Sequence, residues 1–200
     1  MRNRYMVKSD VLPAKGSVKD IADSTGRTLA DVFGGVSHIV LIDQSGSMAD
    51  DDTRDGRTRY EVAEAELRKI QELYPGQVAV VEFSDDAVFC PTGIPSRSGA
   101  STNMLAALQW VKNAGADGLF EIVLISDGEP TSRTPGDAED EVMRFARTLK
   151  GGIHTIYIGA EGSDGERFLR KLAKATGGQP FEAKKPGELG PGILALLGAG

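Results

Sequence analysis

The stretch Val36-Ser37-His38-Ile39-Val40-Leu41-Ile42-Asp43-Gln44-Ser45-Gly46-Ser47-Met48 decides how the rest of the chain is read. Residues 36–42 form a β-branched apolar run, the pattern of a strand buried on both faces. The run ends on Asp43, and hydroxyls follow at alternate positions, Ser45 and Ser47. In a locally extended loop, residues 43, 45 and 47 direct their side chains the same way. Gly46 then lets the backbone turn between the two serines.

Outward from this segment, short apolar runs alternate with helical periods. Ala63, Leu67, Ile70 and Tyr74 recur at i, i+4, i+7 and i+11, which predicts a helix over 59–74 stopped by Pro75-Gly76. Strands are predicted over 77–83 and 87–90, with Ser84-Asp85-Asp86 as the turn between them. A helix over 102–114 aligns Met104, Leu108 and Val111, with Trp110 beside them as packing, and a strand follows over 121–125. Val142, Phe145, Ala146 and Leu149 mark a helix over 137–150 that Gly151-Gly152 ends, before a strand over 153–158. Ser163 and Glu166 have capping-box spacing ahead of a helix bearing Leu169, Leu172 and Ala173. A short edge strand over 180–182 and a last helix over 188–197 complete the pattern. Residues 1–35 read as an N-terminal extension packed on the domain or serving as an adaptor arm, with 20–33 fitting one amphipathic helix; residues 36–200 are the domain.

Alternating strands and helices of these lengths imply a Rossmann-like, doubly wound α/β fold. Its central sheet is mainly parallel, with about six strands and helices on both faces. Ligands of such sheets sit at the carboxyl ends of strands, where the strand order reverses. Three segments meet that demand: Asp43 to Ser47, Ser101-Thr102-Asn103 at the start of a helix, and Ser126-Asp127-Gly128 after the strand over 121–125.

Together Asp43, Ser45, Ser47, Thr102 and Asp127 offer two carboxylates and three hydroxyls, with no thiol and no imidazole. Hard oxygen donors select one divalent cation, Mg²⁺ first and Mn²⁺ or Ca²⁺ as alternatives, over zinc or copper. If either carboxylate acts through water, the ion keeps positive charge and an open position that an acidic partner side chain would complete.

These residues carry a resemblance. Asp43-x-Ser45-x-Ser47, Thr102 and Asp127 are similar, in order and context, to the metal-ion-dependent adhesion site (MIDAS) of von Willebrand factor A (vWA) domains. The flanking Val40-Leu41-Ile42, Leu124-Ile125-Ser126-Asp127-Gly128-Glu129-Pro130 and Ile156-Tyr157-Ile158-Gly159 resemble that family's strands, and the similarity spans about residues 36–197. The resemblance implies metal held by the serines and the threonine directly, and by the aspartates directly or through water. It also implies a protein partner carrying an exposed Asp or Glu, and often an adaptor role in an intracellular assembly. Asp50, Asp51 and Asp52 resemble the acidic pair that binds an adjacent ion in integrin β subunits, but no second ligand segment accompanies them, so they read as a solvated acidic loop.

Composition narrows the function further. The 200 residues carry 23 basic and 29 acidic side chains, a net charge of −6, and no Lys/Arg cluster offsets that balance, so nucleic acid is not expected as a partner. No apolar run approaches the roughly 20 residues of a membrane span and no signal peptide is seen, so a cytoplasmic location is expected. The single cysteine, Cys90, excludes an internal disulfide and reads as a small buried hydrophobe. His38 precedes Asp43 by five residues, about 16 Å at ~3.3 Å per strand residue, too far to act as a base for the serines. His154 also stands near the start of its strand. The chain is therefore expected not to be an enzyme. The alternatives are a Mg²⁺-dependent phosphotransferase or phosphatase of the haloacid dehalogenase type, which wants Asp where this chain has Ser45, and a structural subunit of a ribonucleoprotein.

Overall fold

The buried run of the opening stretch forms β1 (His38–Asp43), every residue of which is buried. In the computed structural model, residues 11–51, 56–96, 99–115, 118–131, 137–159 and 161–182 are described. β1 pairs in parallel with β2 (Val78–Phe83) on one side and with β4 (Glu121–Ser126) on the other. β3 (Ala87–Cys90) adds antiparallel to β2, while β5 (Ile153–Tyr157) and β6 (Pro180–Glu182) add in parallel beyond β4. The order is β3-β2-β1-β4-β5-β6, the six-stranded, mainly parallel α/β sheet read from the sequence.

Strand pleating divides the core in two. Ile39 and Leu41 of β1 point to one face with Ala79, Val81, Ile122 and Leu124; Val40 and Ile42 point to the other with Val78, Val80, Val123 and Ile125. The first face is covered by α1 (Val18–Thr25), α2 (Leu29–Phe33), α4 (Met104–Asn113), α5 (Ala138–Ala146) and α6 (Asp164–Thr176). α3 (Arg59–Leu73) covers the second through Ala63, Leu67 and Ile70. Each such Leu or Ile contributes about 1.5–3 kcal/mol by leaving water. α3 starts sharply because Thr58 accepts from the Glu61 N–H while Glu61 accepts from the Thr58 N–H, a complete capping box.

Several expectations are corrected. The single helix over 20–33 is two, because Gly26 ends α1 in the left-handed conformation (φ 68°) and Thr28 caps α2 with Asp31. Val18, Ala22 and Val32 of these helices belong to the core of the first face. The capping box at α6 is half made: Ser163 accepts from the Glu166 N–H, but the Glu166 carboxylate accepts from the Gly162 N–H instead. Cys90 is only half-buried. A Lys/Arg cluster does exist, assembled between α5 and α6, and it is taken up below. Asp52 and the predicted helix over 188–197 lie outside the described residues.

Candidate metal-binding site

The strand order reverses between β1 and β4, because the chain builds outward from β1 to one side and from β4 to the other. Asp43 is the last residue of β1, and Asp127 follows the last residue of β4. The topological switch point therefore brings two carboxylates to adjacent strand ends, although they are distant in sequence.

Side chains link them. The Ser45 and Ser47 hydroxyls lie 3.2 Å apart, and the Ser47 hydroxyl donates to Asp127 Oδ1 at 2.9 Å. Asp43 accepts from the Ser45 N–H at 2.8 Å and from the Ser126 hydroxyl at 2.6 Å. Thr102 reaches the same end of the sheet through backbone contacts: its N–H donates to the Thr131 hydroxyl at 2.8 Å, and its carbonyl accepts from the Thr131 N–H at 2.9 Å. The neighbouring Asn103 N–H donates to the Ser84 carbonyl beyond β2, and the Asn103 side chain, not that of Thr102, caps α4.

The local backbone differs from the extended loop expected. Residues Gly46–Ala49 form a 3₁₀ turn with Ser45 as its N-cap, and the turn rather than simple alternation brings the two serines together. Gly46 has no left-handed φ and open space where a Cβ would stand, so the turn does not depend on its conformational freedom.

Burial gives the site its electrostatic character. Asp43 is fully buried, and this desolvation pushes its carboxyl up to about 6, against the hydrogen bonds from Ser126 and Ser45 that favour the ionised form. Asp127 is countered by a residue that motif reading missed. Arg59, at the first position of α3, donates from Nη1 to Asp127 Oδ2 and, at 3.2 Å, to the Ser47 carbonyl, with Asp50 3.7 Å away. Its only sequence signal was its place inside the capping box of Thr58 and Glu61. Also unforeseen were the Tyr60 hydroxyl, which donates to the Ser45 carbonyl at 2.9 Å, and Ser126, which orients Asp43.

The residues read as bystanders fall elsewhere. His38 opens β1 at the end opposite Asp43, its ring 2.7 Å from the Ser37 hydroxyl and near Tyr74. His154 lies 3.1 Å from Glu121 and accepts from the Gln179 N–H. Trp110 stacks on Phe89, with ring centroids 6.1 Å apart. Asp85 accepts from the Ser101 hydroxyl and thereby ties the turn after β2 to the loop before α4.

The donor set fits a hard divalent cation. Two carboxylates and clustered hydroxyls supply only oxygen, and a buried carboxylate beside a second one gains from a nearby positive charge. Among the described residues no three His, Cys, Asp or Glu side chains cluster as a metal site, so any cation here would depend on the hydroxyls as well as the two aspartates. Arg59 and Asp50 beside it carry opposite charges, so the two site carboxylates are left to be balanced by a divalent ion.

No family model matches the sequence, and no curated protein does. Solved structures give the fold. The chain is similar to VWA2, the ArnB paralog of Sulfolobus acidocaldarius, at 23% identity and a TM-score of 0.54, covering 78% of this chain and 43% of that one. It is similar to a von Willebrand factor type A protein of Catenulispora acidiphila at 19% identity and a TM-score of 0.59, covering 78% and 40%. It also matches the SpRpn10 VWA domain at 12% identity and a TM-score of 0.56, covering 80% and 94%. The chain thus has the von Willebrand factor A fold, and it spans less than half the length of the first two proteins.

Proposed function

We propose that this chain is a metal-dependent protein-binding module of the vWA type. Asp43, Ser45, Ser47, Thr102 and Asp127 hold one divalent cation, Mg²⁺ in the first instance, and an Asp or Glu of a protein partner completes its shell. The observation that carries this reading is the run of contacts from Ser45 through Ser47 to Asp127 at the switch point of the sheet. An open position on a divalent cation favours a carboxylate over a neutral ligand. Both histidines lie away from the serines, which supports binding without catalysis; the adaptor role in a larger intracellular assembly rests on the resemblance to vWA domains. Among the described residues no helix is long and apolar enough to cross a membrane.

The test is titration calorimetry with Mg²⁺ and Mn²⁺ on the wild type and on Asp43→Ala and Asp127→Ala, followed by affinity capture with and without EDTA. Saturable binding lost in both variants, together with EDTA-sensitive capture, is expected. Capture that survives EDTA and Asp43→Ala unchanged would sink the reading.

A further inference from the structure

The chain is net acidic, yet one surface is strongly basic. α6 buries Phe168, Leu169, Leu172 and Ala173 against the sheet, which leaves Arg167, Arg170, Lys171 and Lys174 exposed as one stripe. Their spacing, i, i+3, i+4 and i+7, is that of a single helix face. α5 packs beside α6 and brings exposed Arg144 and Arg147 to the other bank. Two open depressions result, one lined by the four α6 cations with Ala175, the other by Arg144, Arg147, Met143, Asp140 and Lys171. Lys171 borders both, so they form one groove.

Internal partners neutralise only part of this surface. Arg167 pairs with Asp164, and Arg170 with Glu166, both along α6 itself. Arg144, Arg147, Lys171 and Lys174 make no ion pair among the described residues. Like charges three and four residues apart on a helix repel, so an external anion would relieve a repulsion as well as gain an attraction.

The shape of the patch selects among anions. From residue 167 to 174 the stripe is ~10 Å long at ~1.5 Å per residue, about two turns of a facing helix. Asp140 stands in the groove and Asp164 at the stripe's head, so a long polyanion would meet carboxylates at both places. The lining residues include no aromatic ring on which a base could stack. A short acidic helix, with carboxylates at i, i+3 and i+4, matches the cation spacing and can lay an apolar side chain on exposed Ala175.

We propose that the α5–α6 groove docks a short acidic helix of a protein partner, by a contact that needs no metal and is separate from the site at Asp43 and Asp127. The probe is a labelled helical peptide with glutamates at i, i+3 and i+4, followed by fluorescence anisotropy in EDTA, which silences the metal site. Binding that weakens about tenfold or more in Arg144→Glu/Lys171→Glu/Lys174→Glu is expected, with a steep loss as salt rises. A control, Lys15→Glu/Lys19→Glu/Arg27→Glu, makes the same change of net charge at exposed positions elsewhere and should bind like the wild type. If thermal melts show the first variant unfolded, Lys171→Gln/Lys174→Gln takes its place, with a smaller loss expected. The idea is overturned by absence of wild-type binding or by equal weakening in the control. It is equally overturned if a single-stranded RNA homopolymer or phosphatidylserine vesicles bind more tightly than the peptide. Because the assay runs in EDTA, its failure leaves the metal-site reading standing, and the reverse also holds.

Discussion

Arg59 Nη1 pairs with Asp127 Oδ2 in a contact where the carboxylate is fully buried and the guanidinium nearly so. A permanent cation thus stands against one of the two carboxylates that would hold a metal. Removing one partner of a buried pair leaves the other charge uncompensated, at a cost of about 3–5 kcal/mol. Arg59→Met should therefore melt well below the wild type in EDTA, recover in saturating Mg²⁺, and bind Mg²⁺ about tenfold or more tightly because a repelling charge is gone. Arg59→Lys should stay near the wild type. Calorimetry paired with thermal melts reads both effects, and unchanged Mg²⁺ affinity in Arg59→Met would refute the account.

Asp43 gives a pH dependence with a definite sign. Burial raises its folded carboxyl from 3.8 to about 6, so in the absence of metal its contribution to stability is complete below about pH 4 and is lost as pH rises through about 6. Two units correspond to about 3 kcal/mol. In EDTA, Asp43→Asn should be more stable than the wild type near pH 7 and close to it near pH 4, while losing metal binding. Denaturant unfolding at the two pH values checks this; a constant difference between the proteins would be the contrary result.

Gly165 lies in the first turn of α6, directly against the loop that carries Asp127. A Cβ there would stand 2.9 Å from the Gly128 carbonyl carbon and 3.0 Å from its Cα, both backbone atoms with little freedom to yield. Gly165→Ala should cost about 1–3 kcal/mol and displace the Asp127 loop, weakening Mg²⁺ binding as well. Gly162→Ala, whose Cβ meets nothing but whose φ is +79°, should cost about 1 kcal/mol and leave Mg²⁺ affinity alone. Equal Mg²⁺ affinities in Gly165→Ala and the wild type would show that the loop tolerates the intrusion.

Cys90 is half-buried, and its thiol donates to the Ile94 carbonyl at 2.8 Å. Burial, with Glu82 adding repulsion, pushes the thiol up to about 11. Since the thiolate is the reactive form, alkylation by iodoacetamide near pH 8 should run about a hundredfold slower than in the unfolded chain. Matching rates in native and denatured protein would contradict this. In stability terms the contribution is full below the unfolded thiol value and is lost as pH climbs through about 11.

Local order along the chain was enough for the fold, and it singled out the donors proposed for the metal. The apolar run closing on Asp43, the Asp43-x-Ser45-x-Ser47 spacing and the hydroxyl and carboxylate at Thr102 and Asp127 are all contiguous signals, and strand ends are where an open α/β sheet puts its ligands. Gly26 shows the limit of periodicity: one left-handed residue splits a helix that apolar spacing runs through unbroken. The same limit applied to charge, for a linear count of 23 basic against 29 acidic residues conceals how α6 sorts four of its cations onto one face.

The tertiary structure alone decided which distant groups meet. Ser47 and Asp127 are 80 positions apart, and Arg59 and Asp127 are 68 apart. Their contacts depend on the parallel register of β1 with β4 and on how the capping box starts α3 beside the 3₁₀ turn. The basic groove likewise exists only because α5 and α6 pack side by side on the same face of the sheet. Short-range sequence specifies which elements form and where they stop, because caps, turns and periodicity act over a few residues. The pairing of Arg59 with Asp127, and the charge it leaves at the site, arises from long-range packing that no local pattern encodes.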